Sequence, residues 1–269
     1  MNFHSDEWIM NGVFEHYNEA LTYFSESNIV CLMLAGSQNY GLDTAKSDID
    51  TKLILAPSFR SVAMNHQPIS TTHVRADNSH TDWKDVRLMF NTFRKQNLNF
   101  LECLFTPYGI INPLYKDEWN RLIEHREEIA HYNLPQAIKS MKGIAYNKYE
   151  QMEKDTPSHA NDIKKFGYSP KELHHLLRVE DYIERYIKGE SYESCLHAKL
   201  SEYLKDVKTG CHSLETARFI AAGAIENIDE MCEEFLKTCS TEVNAEVDTL
   251  LDDVQYNIMK IAIKKEIGD

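Results

Sequence analysis

The sequence predicts an α+β protein, with a small sheet first and an all-helical segment after it. Three observations carry this. Short apolar runs of strand length alternate with amphipathic stretches over about the first 110 residues. Strand signals vanish from Pro113 onward, and helical periodicity then continues, interrupted at Pro135, Pro157, Gly189 and Gly210. The change in pattern divides the chain into 1–112 and 113–269.

Residues 6–26 read as a helix, because Trp8, Ile9, Val13, Tyr17, Leu21 and Phe24 recur near a period of 3.6, with Ser5 and Asp6 available as caps. The apolar run 29–34 reads as a buried strand. Residues 49–55 read as a second strand, in which Asp48, Asp50 and Lys52 alternate with Ile49, Thr51 and Leu53 until Pro57 ends it. Residues 58–81 are weakly patterned, with strand character near 71–74. Asp82 or Asp85 opens a helix through about Gln96, with Val86, Met89, Phe90 and Phe93 on one face. Residues 98–105 pack against the sheet, and Pro107 and Gly109 break the segment. Helices are expected over 115–130, 134–153, 170–188, 195–208, 214–238 and 242–265.

At 269 residues and 42% hydrophobic content the chain can bury a sizeable core as one large domain or two small ones. No apolar run approaches the ~20 residues that span a bilayer. The first residues lack a basic stretch followed by an apolar one, so no signal peptide is expected. The six cysteines show no Cys-x-x-Cys spacing, which suits reduced thiols and a cytoplasmic setting. The net charge of −13 opposes indiscriminate binding to polyanions. The charge is uneven, however: residues 139–188 hold ten Lys and Arg against eight acids, a place for a phosphate-bearing ligand or simply a solvated helix surface.

The densest chemistry lies in Leu34-Ala35-Gly36-Ser37, followed after ten residues by Asp48-Ile49-Asp50. A glycine lets the backbone approach a phosphate closely, and the serine adds a hydroxyl donor. Two acids at strand spacing share a face and can hold a divalent cation, since Mg²⁺ takes oxygen ligands. Two such cations in one site clamp the attacking and leaving oxygens of nucleotidyl transfer. On a later helix, Lys171, His175 and Arg178 are spaced i, i+4, i+7 and share one face, where their donors suit triphosphate oxygens.

Gly36-Ser37, the spacer and Asp48-x-Asp50 resemble the signature of the DNA polymerase β-like nucleotidyltransferase superfamily. The spacer, with Tyr40-Gly41-Leu42, resembles the Gly-Ser-x-x-Tyr-Gly-Leu form of an uncharacterised group of bacterial and phage predicted nucleotidyltransferases. Two later segments extend the match, Asn97-Leu98-Asn99-Phe100-Leu101-Glu102-Cys103-Leu104-Phe105 and Phe166-Gly167-Tyr168-Ser169-Pro170-Lys171 continuing to Arg178, so that the resemblance covers about residues 28–190.

The resemblance implies a small mixed-sheet nucleotidyltransferase palm over 1–112, an all-helical domain over 113–269 and, if the chain is phage-encoded, a host-cytoplasmic setting. It implies Asp48 and Asp50 as metal ligands and a third acid from a later strand, with Asp77, Asp82 and Asp85 as candidates and Asp82 favoured. Gly36, Ser37, Lys171, His175 and Arg178 would bind the nucleotide. The implied activity is Mg²⁺-dependent transfer of a nucleoside monophosphate, with Mn²⁺ as the alternative metal. An NTP is the donor, an RNA end, a protein hydroxyl or a small molecule is the acceptor, and pyrophosphate is released. The alternative is an antitoxin-like nucleotide-binding module with a protein partner and little turnover. The sequence leaves the acceptor, the choice of NTP and the oligomeric state open.

Overall fold

A computed structural model describes residues 2–268. The chain divides into two compact units. One comprises Met1–Asn39, Ala45–Asn133 and Glu242–Asp269; the other comprises Tyr40–Thr44 and Leu134–Thr241. Both units are discontinuous in sequence. The step at 112 and 113 therefore follows the change in element type, whereas the units follow packing. The C-terminal helix Ala245–Ile267 belongs with the sheet, where Arg94 bonds Asp248 at 2.7 Å and Asp252 at 2.6 Å.

The first unit is built on a five-stranded mixed sheet. Its strands are β1 (Ile29–Ala35), β2 (Asp50–Leu55), β3 (Ser70–Val74), β4 (His80–Asp85) and β5 (Gly109–Ile111), in the order β3-β4-β2-β1-β5. Strands β1 and β2 run antiparallel, with Ala35 opposite Asp50. Strands β2 and β4 run parallel, with Thr51 opposite Thr81. The starts of β2 and β4 therefore meet the end of β1 at one edge of the pleat.

Helix Asp6–Tyr23, N-capped by Ser5, packs on one face of the sheet. Its Ile9, Val13 and Ala20 join Leu32, Leu34, Ile49, Leu53 and Leu55 in a core, where each large apolar side chain contributes about 1.5–3 kcal/mol. Helix Val86–Arg94 covers the other face with Met89, Phe90 and Phe93. Asp85, not Asp82, caps that helix, accepting from the Arg87 backbone N–H at 2.9 Å. Asp82 lies inside β4, not at a helix start.

The second unit is helical. Helix Pro170–Ile187 is its centre, with Leu173, Leu176, Tyr182 and Ile183 buried against helices Leu134–Gln151, Ser201–Thr209 and Leu214–Thr238. Ser169 caps it and Pro170 fills the first turn, where a missing N–H carries no penalty. Among the described residues no helix is long and apolar enough to cross a membrane, and all six cysteines are free.

Candidate metal centre and active site

The sequence positions the centre through three local devices. Gly36 ends β1 with φ +90, a conformation that L side chains rarely adopt. A Cβ there would stand 3.8 Å from Asp50 Oδ2, so the turn lies directly beside that carboxylate. Beyond it, Ser37 Oγ donates to Ser47 Oγ at 3.4 Å and Gln38 Nε2 donates to the Asp48 carbonyl at 2.7 Å. Asn39 Nδ2 returns to the Leu34 carbonyl at 2.9 Å. These bonds tie both ends of the spacer together.

Asp50 opens β2. Asp48 lies two residues before it, outside the strand expected to carry both acids, and is exposed. Their carboxylates nevertheless converge. Asp48, Asp50 and His80 each offer a ligand atom, and these atoms lie within 4.8 Å of one another. His80 donates its backbone N–H to Asp50 Oδ1 at 3.1 Å, and its Nδ1 stands 3.3 Å from the same oxygen. This orients the Asp50 carboxylate. Two carboxylates and an imidazole nitrogen form a donor set suited to a divalent cation, with the oxygens matching Mg²⁺ and the nitrogen widening the choice toward Mn²⁺.

The three candidates for a further acid go to three places. Asp77 is in the turn between β3 and β4, held by the Ser79 hydroxyl at 2.6 Å and the Ser79 N–H at 3.0 Å, which keep its pKa below the usual carboxylate range. Asp85 is buried, capping its helix and binding Arg87 at 2.6 Å. Asp82 shares the His80 face of β4 one pleat repeat further on, outside the three-residue cluster. Lys52 Nζ donates to its Oδ2 at 3.0 Å and Thr72 Oγ1 to its Oδ1 at 2.6 Å. Burial opposes the Asp82 charge, yet Lys52, Thr72 and Lys84 outweigh it and hold the pKa low. Lys52 is itself buried, with its ammonium 4.7 Å from the Phe100 ring centre.

Behind the acids, on the opposite face of the sheet, His16 braces the two parallel strands. Its Nδ1 lies 2.9 Å from Thr51 Oγ1 and 3.0 Å from Thr81 Oγ1, and its Nε2 lies 3.1 Å from Ser79 Oγ. Ser79 gives its own proton to Asp77. The imidazole therefore carries its hydrogen on Nε2 and accepts a threonine hydroxyl at Nδ1.

Lys171, His175 and Arg178 all lie on helix Pro170–Ile187 of the second unit. Lys171 is exposed, His175 half-buried and Arg178 buried, so the shared helical spacing does not give them equal access. Burial drives the His175 pKa well below its usual value. The Arg178 guanidinium lies 3.9 Å from the Tyr40 ring centre, which brings together two segments of the family-like pattern.

Sequence reasoning missed His80 and Lys52. The available signal was the strand period of His80, Asp82 and Lys84 against Thr81 and Trp83, matching Asp50 and Lys52 on the neighbouring strand.

No protein-family model matches the chain, and no curated protein matches its sequence. Among solved structures, the chain is similar to a nucleotidyltransferase-like protein from Exiguobacterium sibiricum 255-15. The two are 11% identical with a TM-score of 0.32, over 94% of this chain and 89% of the other.

Proposed function

We propose that this chain is a Mg²⁺-dependent nucleotidyltransferase that moves a nucleoside monophosphate from an NTP to an acceptor and releases pyrophosphate. The observation that carries the reading is the convergence of Asp48, Asp50 and His80 within 4.8 Å, beside the positive-φ turn at Gly36. Asp48 and Asp50 hold the cation, and His80 orients Asp50. Mg²⁺ or Mn²⁺ held there supplies positive charge that offsets the triphosphate and makes its phosphorus more electrophilic. The Gly36 backbone admits a phosphate closely, and the Ser37 hydroxyl donates to it. Lys52 adds a fixed ammonium on the Asp50 face of the sheet. Asp82 is the third acid in this reading, Lys171 and Arg178 are nucleotide-binding cations, and His175, whose pKa burial drives down, is a neutral nucleotide-binding donor.

Tying up Asp82 against Lys52 is the feature that favours the second reading, a nucleotide-binding module with little turnover. One experiment separates the two. The protein is incubated with each α-labelled NTP and Mg²⁺ or Mn²⁺, alongside RNA, protein and small hydroxyl acceptors. Transfer of label with release of pyrophosphate supports the enzyme, and nucleotide binding without transfer supports the module. Asp48→Asn with Asp50→Asn is expected to abolish transfer and Mn²⁺ binding while the protein stays folded, because neutral amides are poorer ligands and the acids no longer repel. Undiminished transfer by the folded double variant would exclude this metal centre.

A further inference from the structure

A cavity of about 550 Å³ opens within the sheet-bearing unit, between helix Asp6–Tyr23, residues 45–49 and the turn between β3 and β4. Asp48 lines it, so the cavity adjoins the candidate metal centre. Its size lies in the range of small-molecule sites, about 300–1,000 Å³. Trp8, Asn11, Glu15, Lys46, Arg75 and Asp77 also line it, and neither Lys46 nor Arg75 is without a partner.

The bonding state of these groups indicates what fits. Arg75 is occupied: its guanidinium bonds Glu19, and its Nη1 lies 3.4 Å from Asp77. Asp77 is occupied by Ser79 as well. The Asn11 amide and the carboxylates of Glu15 and Asp48 form no hydrogen bond within the described residues. The Trp8 indole stacks on His4 at 3.7 Å and lends the cavity an aromatic wall. With Asp48 given to the cation, the groups left over are the Glu15 carboxylate and the Asn11 amide, set beside a flat apolar surface. A ligand that satisfies them must mainly donate, through hydroxyl or ammonium groups, and must also present an apolar ring face. A polyanion meets the wrong charge here, since RNA binding rests on cations free to neutralise phosphates.

We infer that this cavity is the acceptor site, and that the acceptor is a polyhydroxylated small molecule, neutral or ammonium-bearing, with one hydroxyl presented beside Asp48. The inference rests on the nucleotidyl-transfer reading and narrows its acceptor. In the step it serves, the acceptor oxygen forms a bond to the α-phosphorus of the NTP. The bond from that phosphorus to the bridging oxygen breaks, pyrophosphate leaves with the electron pair, and the hydroxyl proton passes to solvent. Glu15 and Asn11 hold the other hydroxyl or ammonium groups, and Trp8 stacks on the ring.

The test uses the full chain with α-labelled NTP and Mg²⁺. The probes are D-glucose, myo-inositol, D-glucosamine, an RNA oligonucleotide and a Ser- and Tyr-containing peptide. Label is expected on one or more of the three small probes and on neither polymer. Glu15→Gln and Asn11→Ala should each raise KM for that probe about tenfold or more, with KM for the NTP changed far less. Both residues are exposed on a helix, so the variants should fold, which circular dichroism checks. Binding is also read without turnover, as a probe-induced change in tryptophan fluorescence that disappears in Trp8→Phe.

Label on RNA or peptide alone overturns the inference and leaves nucleotidyl transfer standing. So does an acceptor KM unmoved by both variants, or the absence of label and of any fluorescence change with all three small probes while the protein binds Mn²⁺ and NTP. A protein that binds neither Mn²⁺ nor NTP overturns the transfer reading itself. A fluorescence response to a small probe in that case would leave the cavity as a binding site without the reaction.

Discussion

Acidification should destabilise this protein through its buried neutral histidines, and His16 is the one that braces the sheet beside the candidate metal centre. The imidazole is 2% exposed and bonded on both nitrogens. Burial, then the Arg75 charge, pull its pKa down from 6.5 to about 4, against the opposing pull of Asp77 and Glu19; His73 adds to the lowering. The folded protein thus keeps His16 neutral where the unfolded chain protonates it. Stability from this group is complete above pH 6.5 and falls as pH drops from 6.5 through about 4. Linkage gives a loss of roughly 2 kcal/mol by pH 5 and about 3 kcal/mol below pH 4.

The perturbation is His16→Gln, whose amide can still bond the threonine hydroxyls but does not titrate. Urea unfolding at pH 7.5 and pH 5.0 supplies the numbers. At the higher pH the variant should be less stable than wild type by about 1–3 kcal/mol, from imperfect replacement of buried bonds. At the lower pH the gap should narrow by roughly 2 kcal/mol, because only wild type has lost the imidazole contribution. His174, also buried and held at about 4 first by burial, stays in both proteins and cancels in the comparison. A gap that stays constant between the two pH values refutes the assignment of a neutral His16. An NMR titration placing the His16 midpoint near 6.5 refutes it directly.

Three further substitutions separate architecture from chemistry. A Cβ at position 12 would meet Ile49 Cγ1 at 2.7 Å, so Gly12→Val should push Ile49 and the Asp48–Asp50 segment outward. The expected result is a loss of about 1–3 kcal/mol in thermal or urea stability together with weaker Mn²⁺ binding. Asp82→Asn removes the anionic partner of the buried Lys52 ammonium and should cost about 1–3 kcal/mol; Mn²⁺ titration should also show weaker binding, and a stability loss alone would reduce Asp82 to the partner of Lys52. Arg178→Ala should weaken NTP affinity in a direct binding assay, and unchanged affinity with a lowered melting temperature would assign Arg178 to packing against Tyr40 alone.

What the sequence discloses and what it hides follow from distance along the chain. Gly36, Asp48 and Asp50 are legible because the devices that unite them are local: one positive-φ turn, a short spacer and one antiparallel register. β4 is hidden because one of its faces is polar, His80, Asp82 and Lys84, and because β2, one of its two partner strands, is thirty residues away. Its start reads as loop and its end as a helix cap. β5 has three residues, too few to show a period. The return of the C-terminal helix to the sheet rests on Arg94 with Asp248 and Asp252, pairs that only the folded chain brings together. His80 is hidden with β4: its only signal is the alternation of that strand, which becomes legible once 80–85 is read as a strand.

The spacer between the serine and the two acids shows how one segment answers to two demands. Its ends belong to the candidate metal centre: Gln38 holds the Asp48 backbone, Asn39 returns to Leu34, and Ser47 receives the Ser37 hydroxyl. Its middle, Tyr40–Thr44, belongs to the helical unit. There Tyr40 lies under Arg178, Leu42 is fully buried, and the Leu42 carbonyl accepts from Lys208 at 3.3 Å. Gly41, with φ +68, turns the chain between the two buried side chains. Tyr-Gly-Leu is therefore explained by packing and the flanking polar residues by the site. One face of the Tyr40 ring is already covered by an arginine, so a nucleobase stacking on Tyr40 would have to use the ring's other face or displace Arg178.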